Sequence, residues 1–139
     1  MKPVQELFDD TERRLAHGLA AIERKVSDAE SKLQELERYR GDYENQFKQR
    51  AGRGIGARDL RDYQAFLARL TEAIRQQHAV VKRAQSERDA ERLRWQDAAK
   101  RAKALGHVVE QWQTEERRAS DRREQRESDE RAQRRVNKT

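Results

Sequence analysis

Apolar residues recur along the first half of the chain in alternating steps of four and three. Nine of the ten positions in this run are apolar: Leu15, Leu19, Ile22, Val26, Ala29, Leu33, Leu36, Arg40, Tyr43 and Phe47. A mean spacing of about 3.5 residues keeps one stripe of a helix facing a partner helix, which is typical of coiled coils. We therefore predict a first helix over residues 4–50.

A second run with the same rhythm follows. Its sixteen positions are Leu60, Tyr63, Leu67, Leu70, Ile74, Gln77, Val81, Ala84, Arg88, Glu91, Trp95, Ala98, Ala102, Leu105, Val109 and Trp112. Only Gln77, Arg88 and Glu91 are polar, and polar residues inside such a stripe often fix register and orientation. The run predicts a second helix over residues 58–135.

Between the two runs the chain reads GRGIG at residues 52–56, which holds three of its six glycines. Glycine adopts the positive φ angles that end helices and form tight turns. A continuous rod that dimerises in parallel is the alternative, but each glycine inside it would cost about 1 kcal/mol relative to alanine. We therefore predict an all-α fold, an antiparallel two-helix coiled-coil hairpin with an extended C-terminal helix, as a single domain over residues 1–139. Residues 51–57 form its tip loop, where Ile55 closes the end of the apolar seam.

The two predicted helices differ in length, so part of the second one lacks a partner within the chain. If the chain folds back at residue 54, residues equally distant from this point lie opposite each other. This places Leu15 near Leu93, and nothing in the first helix reaches Val109. The unpaired stripe consists of Leu105, Val108, Val109 and Trp112. An exposed apolar stripe of this kind indicates an external partner.

Beyond Trp112, residues 113–139 are highly charged, with nine basic and seven acidic residues. Pairs at i,i+4 support such a helix by only about 0.2–0.5 kcal/mol each. We expect this end to fray alone and to stay straight when a partner clamps it.

A second row of residues lies beside the seam near the tip. Phe66, Leu70, Ala73 and Gln77 follow each other at spacings of four, three and four. One interpretation is that these residues widen the buried stripe, as in many helical hairpins. The other is a recognition ridge, because two helices cannot bury both flanks of their seam.

Composition and charge narrow the possible functions. Charged residues make up 42% of the chain, hydrophobic residues 34%, and the net charge is +6. Basic pairs such as Arg117-Arg118 and Arg122-Arg123 have acids nearby, and Trp95 and Trp112 occupy heptad positions, which argues against nucleic-acid binding. No membrane-spanning stretch, signal peptide or basic amphipathic face is visible, so we expect a cytoplasmic protein.

The sequence offers no catalytic, cofactor-binding or metal-binding site. There is no cysteine, and His17, His78 and His107 stand far apart, without neighbours at metal-ligand spacing. GRGIG lacks the strand and the GK[ST] tail of a phosphate-binding loop. We therefore expect a protein that is not an enzyme and takes no small-molecule substrate.

Three blocks of the sequence resemble the FliJ family of flagellar export proteins: LERYRGDY, DYQAFLARLTEAIRQQ and DRREQRESDERAQRR. The resemblance covers about residues 30–135. It implies an antiparallel coiled coil similar to the central stalk subunit of rotary ATPases. It also implies that the helical ends insert into the hexameric flagellar export ATPase and promote its assembly. The further implied partners are the cytoplasmic part of the membrane export gate and the export chaperones, at the inner membrane of the flagellar base, in a system that serves motility and chemotaxis.

The resemblance also implies which residues bind. The gate-contact surface of the family maps onto Leu36, Tyr39, Tyr43, Phe66, Leu70, Ala73 and Gln77. The unpaired stripe Leu105, Val108, Val109 and Trp112 is the expected contact with the ATPase ring. Two alternatives remain open: the equivalent stalk of a virulence-type secretion system, and an unrelated coiled-coil scaffold or nucleic-acid binder.

Overall fold

The computed structural model describes residues 3–138 and contains two long helices. Helix α1 spans Val4–Ala51 and helix α2 spans Ala57–Asn137, and the described residues contain no strand. The two helices pack against each other as an antiparallel hairpin, which confirms the predicted fold class. The chain divides into two compact units, one of Arg13–Gln96 and one of Met1–Glu12 with Asp97–Thr139.

The first unit, which we call the hairpin unit, contains the buried core. Its buried residues all belong to the two predicted seams: Leu19, Val26, Ala29, Leu70, Ile74, Gln77, Val81 and Ala84. Neighbouring members of this set lie three, four or seven residues apart, so each helix presents one continuous stripe to the other. All ten positions of the first predicted run are buried or half-buried.

Polar contacts on both sides of the seam show that the helices run in opposite directions. Lys25 Nζ lies 3.2 Å from Glu87 Oε2, and Arg92 Nη2 lies 3.6 Å from Glu23 Oε1. Further along α1, the Glu37 carboxylate lies 3.5 Å from His78 Nε2. The α2 residue number falls as the α1 number rises, which is the antiparallel order.

The glycine loop ends α1 through a tightened last turn. The Gly52 amide donates to the Lys48 carbonyl at 3.2 Å, and the Gly54 amide donates to the Ala51 carbonyl at 3.1 Å. Gly54 has a φ of 92°, which side-chain-bearing residues rarely adopt. Ile55 is half-buried and lines a cavity shared with residues from both helices, as expected for a residue that closes the seam.

The predicted nearness of Leu15 and Leu93 stays a prediction, but Leu93 does not form part of the buried seam. Its side chain is 67% exposed, and it lies outside the heptad stripe of α2. The seam residue two positions later, Trp95, is half-buried, as is Leu15. Reflection about residue 54 gives the level of a residue along the partner helix, whereas the heptad phase decides which side chain faces inward.

The second unit, which we call the terminal unit, combines the first turns of α1 with the last part of α2. Gln5 Nε2 lies 3.6 Å from the position that a Cβ atom on Gly106 would occupy, which is ordinary van der Waals contact and shows that α1 packs beside α2 here. The described part of α1 begins at Val4, whereas α2 continues to Asn137. Neither helix, over residues 3–138, has the length and apolarity needed to cross a bilayer.

Candidate partner-binding surfaces

Five of the eight aromatic residues form one cluster in the hairpin unit. This aromatic cluster consists of Tyr39, Tyr43, Phe47, Tyr63 and Phe66. The Phe47 and Tyr63 rings stack with centroids 3.6 Å apart, and the Tyr43 and Tyr63 rings stack at 5.4 Å. Such ring pairs contribute about 0.5–1.5 kcal/mol each beyond the area they bury. The cluster therefore holds the helices together beside the glycine loop.

The environment of Tyr63 disfavours the ionised phenol. Burial among neighbouring rings raises the pKa of Tyr63 above its usual 10.0, and the nearby Glu44 carboxylate and Tyr43 phenol raise it further. The ring therefore stays neutral and suited to stacking over a wide pH range.

The predicted gate surface includes residues of very different exposure. Tyr39 is 52% exposed. Four residues are half-buried, namely Leu36, Tyr43, Phe66 and Ala73. Leu70 and Gln77 are buried, with 7% and 8% of their surface accessible. These last two residues belong to the seam and present little surface to a partner. Whether the set binds a gate stays a prediction.

Gln77 is the only buried polar residue among those described. Its side-chain amide donates a hydrogen bond to the Ala29 carbonyl of α1 at 3.0 Å. A buried amide is costly unless it is hydrogen-bonded, so the register in which this bond forms is favoured over shifted ones. The register-fixing interpretation of Gln77 requires a bond of this kind, and whether Gln77 sets the register stays a prediction.

The other two polar seam residues of α2 form ion pairs with residues of the same helix. Arg88 pairs with Asp89 at 3.1 Å, and Glu91 pairs with Arg94 one turn away. Both residues are half-buried, so their aliphatic portions cover the seam while the charged groups remain near water.

A residue outside the predicted set extends the apolar surface beside the seam. Val80 is 44% exposed and lies seven residues after Ala73, which itself lies seven residues after Phe66. Residues seven apart lie on nearly the same face of a helix. We call Tyr39, Phe66, Ala73 and Val80 the flank patch. The heptad spacing 66–73–80 was the sequence signal for Val80.

The predicted ATPase-contact residues form a partly exposed stripe in the terminal unit. We call Leu105, Val108, Val109 and Trp112 the ring stripe. Leu105 and Val109 are half-buried, whereas Val108 is 38% and Trp112 61% exposed. The N-terminal end of α1 lies close to the level at which this stripe begins, because Gln5 packs at Gly106. A large exposed indole there is unusual for a surface without a partner.

After the ring stripe, α2 continues as a charged helix with hydrogen bonds and ion pairs between its own residues. The Thr114 hydroxyl donates to the Glu110 carbonyl at 2.9 Å, and Gln125 donates to Asp129 at 3.1 Å. Glu127 and Arg131 form an i,i+4 ion pair at 3.7 Å. Exposed pairs of this kind stabilise a helix only slightly.

The described part of the chain offers few groups that could bind a metal ion or take part in catalysis. The three histidines are exposed, and His78 contacts the Glu37 carboxylate. Over residues 3–138, no group of three or more histidine, cysteine or acidic residues is arranged to hold a metal ion.

Comparison with known proteins identifies the family. The family model described as "Flagellar FliJ protein" matches residues 1–139, the whole chain. Searches of curated proteins and of solved structures gave no match. A match over the full length, on a helical hairpin whose glycine loop joins two heptad stripes, places this chain in the FliJ family of flagellar export components.

Proposed function

We propose that this protein is a non-enzymatic stalk of the flagellar type III export apparatus. In this role the free part of α2 inserts into the centre of the hexameric export ATPase, promotes assembly of the ring and raises its activity. The hairpin unit links the ATPase to the cytoplasmic part of the export gate, and the protein helps export chaperones to engage the ATPase. It works in the cytoplasm, peripherally associated with the inner membrane at the flagellar base.

The observation that carries this proposal is the exposed ring stripe on α2. Trp112 is 61% exposed although it occupies a seam position, where an α1 residue would otherwise cover it. A buried indole contributes strongly to protein interfaces, because it buries a large area at a small cost in side-chain entropy. An ATPase ring lumen lined with apolar side chains would supply the missing cover.

The charged segment after Trp112 supports the same role. Its basic and acidic residues alternate in short blocks, so it carries no large field of one sign. A helix of this kind makes many weak contacts with a surrounding ring, since each exposed ion pair contributes little. Weak contacts suit a stalk that has to shift within the ring.

The flank patch is the proposed contact with the export gate. Tyr39 and Val80 offer the most accessible apolar surface, and Phe66 lies between Tyr39 and Tyr43, with ring centroids at 6.0 Å and 4.5 Å. Aromatic residues with one accessible face are common binding anchors. In this proposal Leu70 and Gln77 act indirectly, by holding the helices in register.

The family match favours the flagellar apparatus over the two alternatives drawn from the sequence. It is a match to a flagellar family, so a virulence-type stalk or an unrelated scaffold has no observation in its favour.

The proposal is tested by measuring ATP hydrolysis and co-purification with the cognate export ATPase. The variant V108A/W112A removes the two exposed residues of the ring stripe, and we expect it to lose most of the stimulation and binding. L93A is the matched control, because it removes another exposed apolar side chain, in the hairpin unit. Equal loss in L93A, or full activity of V108A/W112A, would count against the stripe as the contact.

A further inference from the structure

The first turns of α1 carry only acidic charge. Between residues 3 and 12 the charged residues are Glu6, Asp9, Asp10 and Glu12, without a lysine or arginine. None of Asp9, Asp10 and Glu12 is without a partner.

The part of α2 in the same unit begins with a basic stretch. Residues 97–107 contain Lys100, Arg101 and Lys103 against one acid, Asp97, which pairs with Arg101 at 3.3 Å. The α1 segment and this stretch thus carry opposite net charges, and Gln5 against Gly106 shows that they pack together. Attraction between exposed charges at such an interface is screened by salt.

The apolar packing in this unit is thin. No described residue of the terminal unit is buried, and on α1 Val4 is 60% and Leu7 51% exposed. The seam residues of α2 here include Ala98 and Ala102, which offer little apolar area. Hydrophobic stabilisation scales with the area removed from water, so it is much smaller here than in the hairpin unit, where eight residues are buried.

We propose that residues 4–12 of α1 form a releasable cover over Ala98, Ala102 and Leu105 of α2, held mainly by charge attraction. The cover opens and closes while the hairpin unit stays folded. This follows the general rule that segments with few buried contacts unfold locally at a low free-energy cost.

Opening of the cover has a consequence for binding. It would uncover Leu105, the half-buried first residue of the ring stripe, beside Val108 and Trp112, which are already accessible, and so make more of the stripe available to a partner. This consequence rests on the proposed function, whereas the opening itself is a property of the isolated chain.

Hydrogen exchange of backbone amides in the full-length isolated protein tests the cover. We expect the protection of residues 8–12 to fall about fivefold or more between about 50 mM and about 500 mM salt, while residues 19–33 keep theirs. The variant D9N/D10N/E12Q should show the high-salt behaviour already at low salt. The matched control D28N/E35Q neutralises exposed acids of α1 in the hairpin unit and should leave residues 8–12 unchanged.

A disulfide provides the complementary measurement, since the chain has no native cysteine. Oxidation of Q5C/G106C should restore protection of residues 8–12 at high salt, and reduction should remove it. Exchange of residues 8–12 that ignores both salt and D9N/D10N/E12Q would show ordinary fraying of a helix end and overturn the proposal. Protection equal to that of residues 19–33 under all conditions would overturn it as well. Neither outcome depends on ATPase binding, so the proposed function is judged separately.

Discussion

The side-chain amide of Gln77 on α2 donates a hydrogen bond to the backbone carbonyl of Ala29 on α1. This contact joins residues 48 positions apart in the sequence, and the other buried residues of the seam are all apolar. A buried leucine or valine side chain tolerates a shift of one heptad wherever it then meets another apolar residue. A buried amide does not, because a shifted register leaves its hydrogen-bonding groups unsatisfied.

Replacing Gln77 with leucine should therefore make the register of the two helices less specific while changing the stability of the hairpin only slightly. We expect the free energy of unfolding of Q77L to change by less than about 1.5 kcal/mol, or to rise, because an apolar side chain of similar size replaces the amide. The register should become less specific. Disulfide formation in the pair K25C/E87C reports the native register, and K25C/R94C reports a shift by one heptad. Exclusive formation of the native pair in Q77L would mean that Gln77 does not set the register.

Removal of the Tyr63 ring should weaken the end of the hairpin next to the loop. Tyr63 stacks on Phe47 and Tyr43, and it is half-buried, so Y63A is expected to lower the free energy of unfolding by about 1–3 kcal/mol. Y63F keeps the ring and should stay within about 0.5 kcal/mol of the parent. Chemical denaturation followed by circular dichroism measures both. A large loss in Y63F would assign the effect to the hydroxyl instead of the stack.

Replacement of Gly54 in the loop by alanine should destabilise the protein. Gly54 has a positive φ, so G54A is expected to cost about 1–2 kcal/mol through backbone strain. Gly18 lies inside α1, where a Cβ atom would meet nothing within 4 Å. G18A should therefore raise stability by up to about 1 kcal/mol, through higher helix propensity. Thermal unfolding should show a lower melting temperature for G54A and a higher one for G18A. A G54A variant as stable as the parent would contradict a positive φ at residue 54.

Residues of the flank patch and of the seam should respond differently in a gate-binding assay. Y39A/V80S changes two exposed positions, so we expect binding to the cytoplasmic part of the export gate to fall by about tenfold or more. Its stability should fall less than that of L70A, because mainly the ring contacts of Tyr39 are lost. L70A empties a buried position and should lower the free energy of unfolding by about 2–4 kcal/mol. Calorimetric binding and thermal unfolding of both variants provide the comparison. Normal gate binding by Y39A/V80S would remove the flank patch as the contact.

The heptad rhythm made most of the fold predictable, because burial of one apolar stripe per helix dominates the folding of such a chain. Leu19, Val26 and Ile74 are buried at positions that the rhythm gives directly. The glycine loop was predictable for a related reason, since Gly54 supplies a backbone conformation that other residues avoid. These features depend on local spacing, which a single sequence contains.

Contacts between the helices were less accessible to sequence reasoning. Spacing predicts that Leu93 lies at the level of Leu15, but it did not reveal that the Leu93 side chain is exposed. The stack of Phe47 on Tyr63 depends on the relative height and rotation of two helices, which periodicity alone leaves open. For the candidate site, spacing placed Phe66 and Ala73 on one flank of the seam. It did not reveal that the Gln77 side chain donates a hydrogen bond to the Ala29 carbonyl within the protein.

The most direct test of the stalk role is the ATP hydrolysis rate of the export ATPase with the full chain and with a chain that ends after Glu110. The shortened chain keeps every described residue of α1 and keeps α2 as far as Glu110, including Gly106, where Gln5 packs, but it lacks Trp112 and the charged segment. We predict that it remains helical and monodisperse, and that it no longer stimulates hydrolysis. Stimulation by the shortened chain equal to that by the full chain would contradict the account.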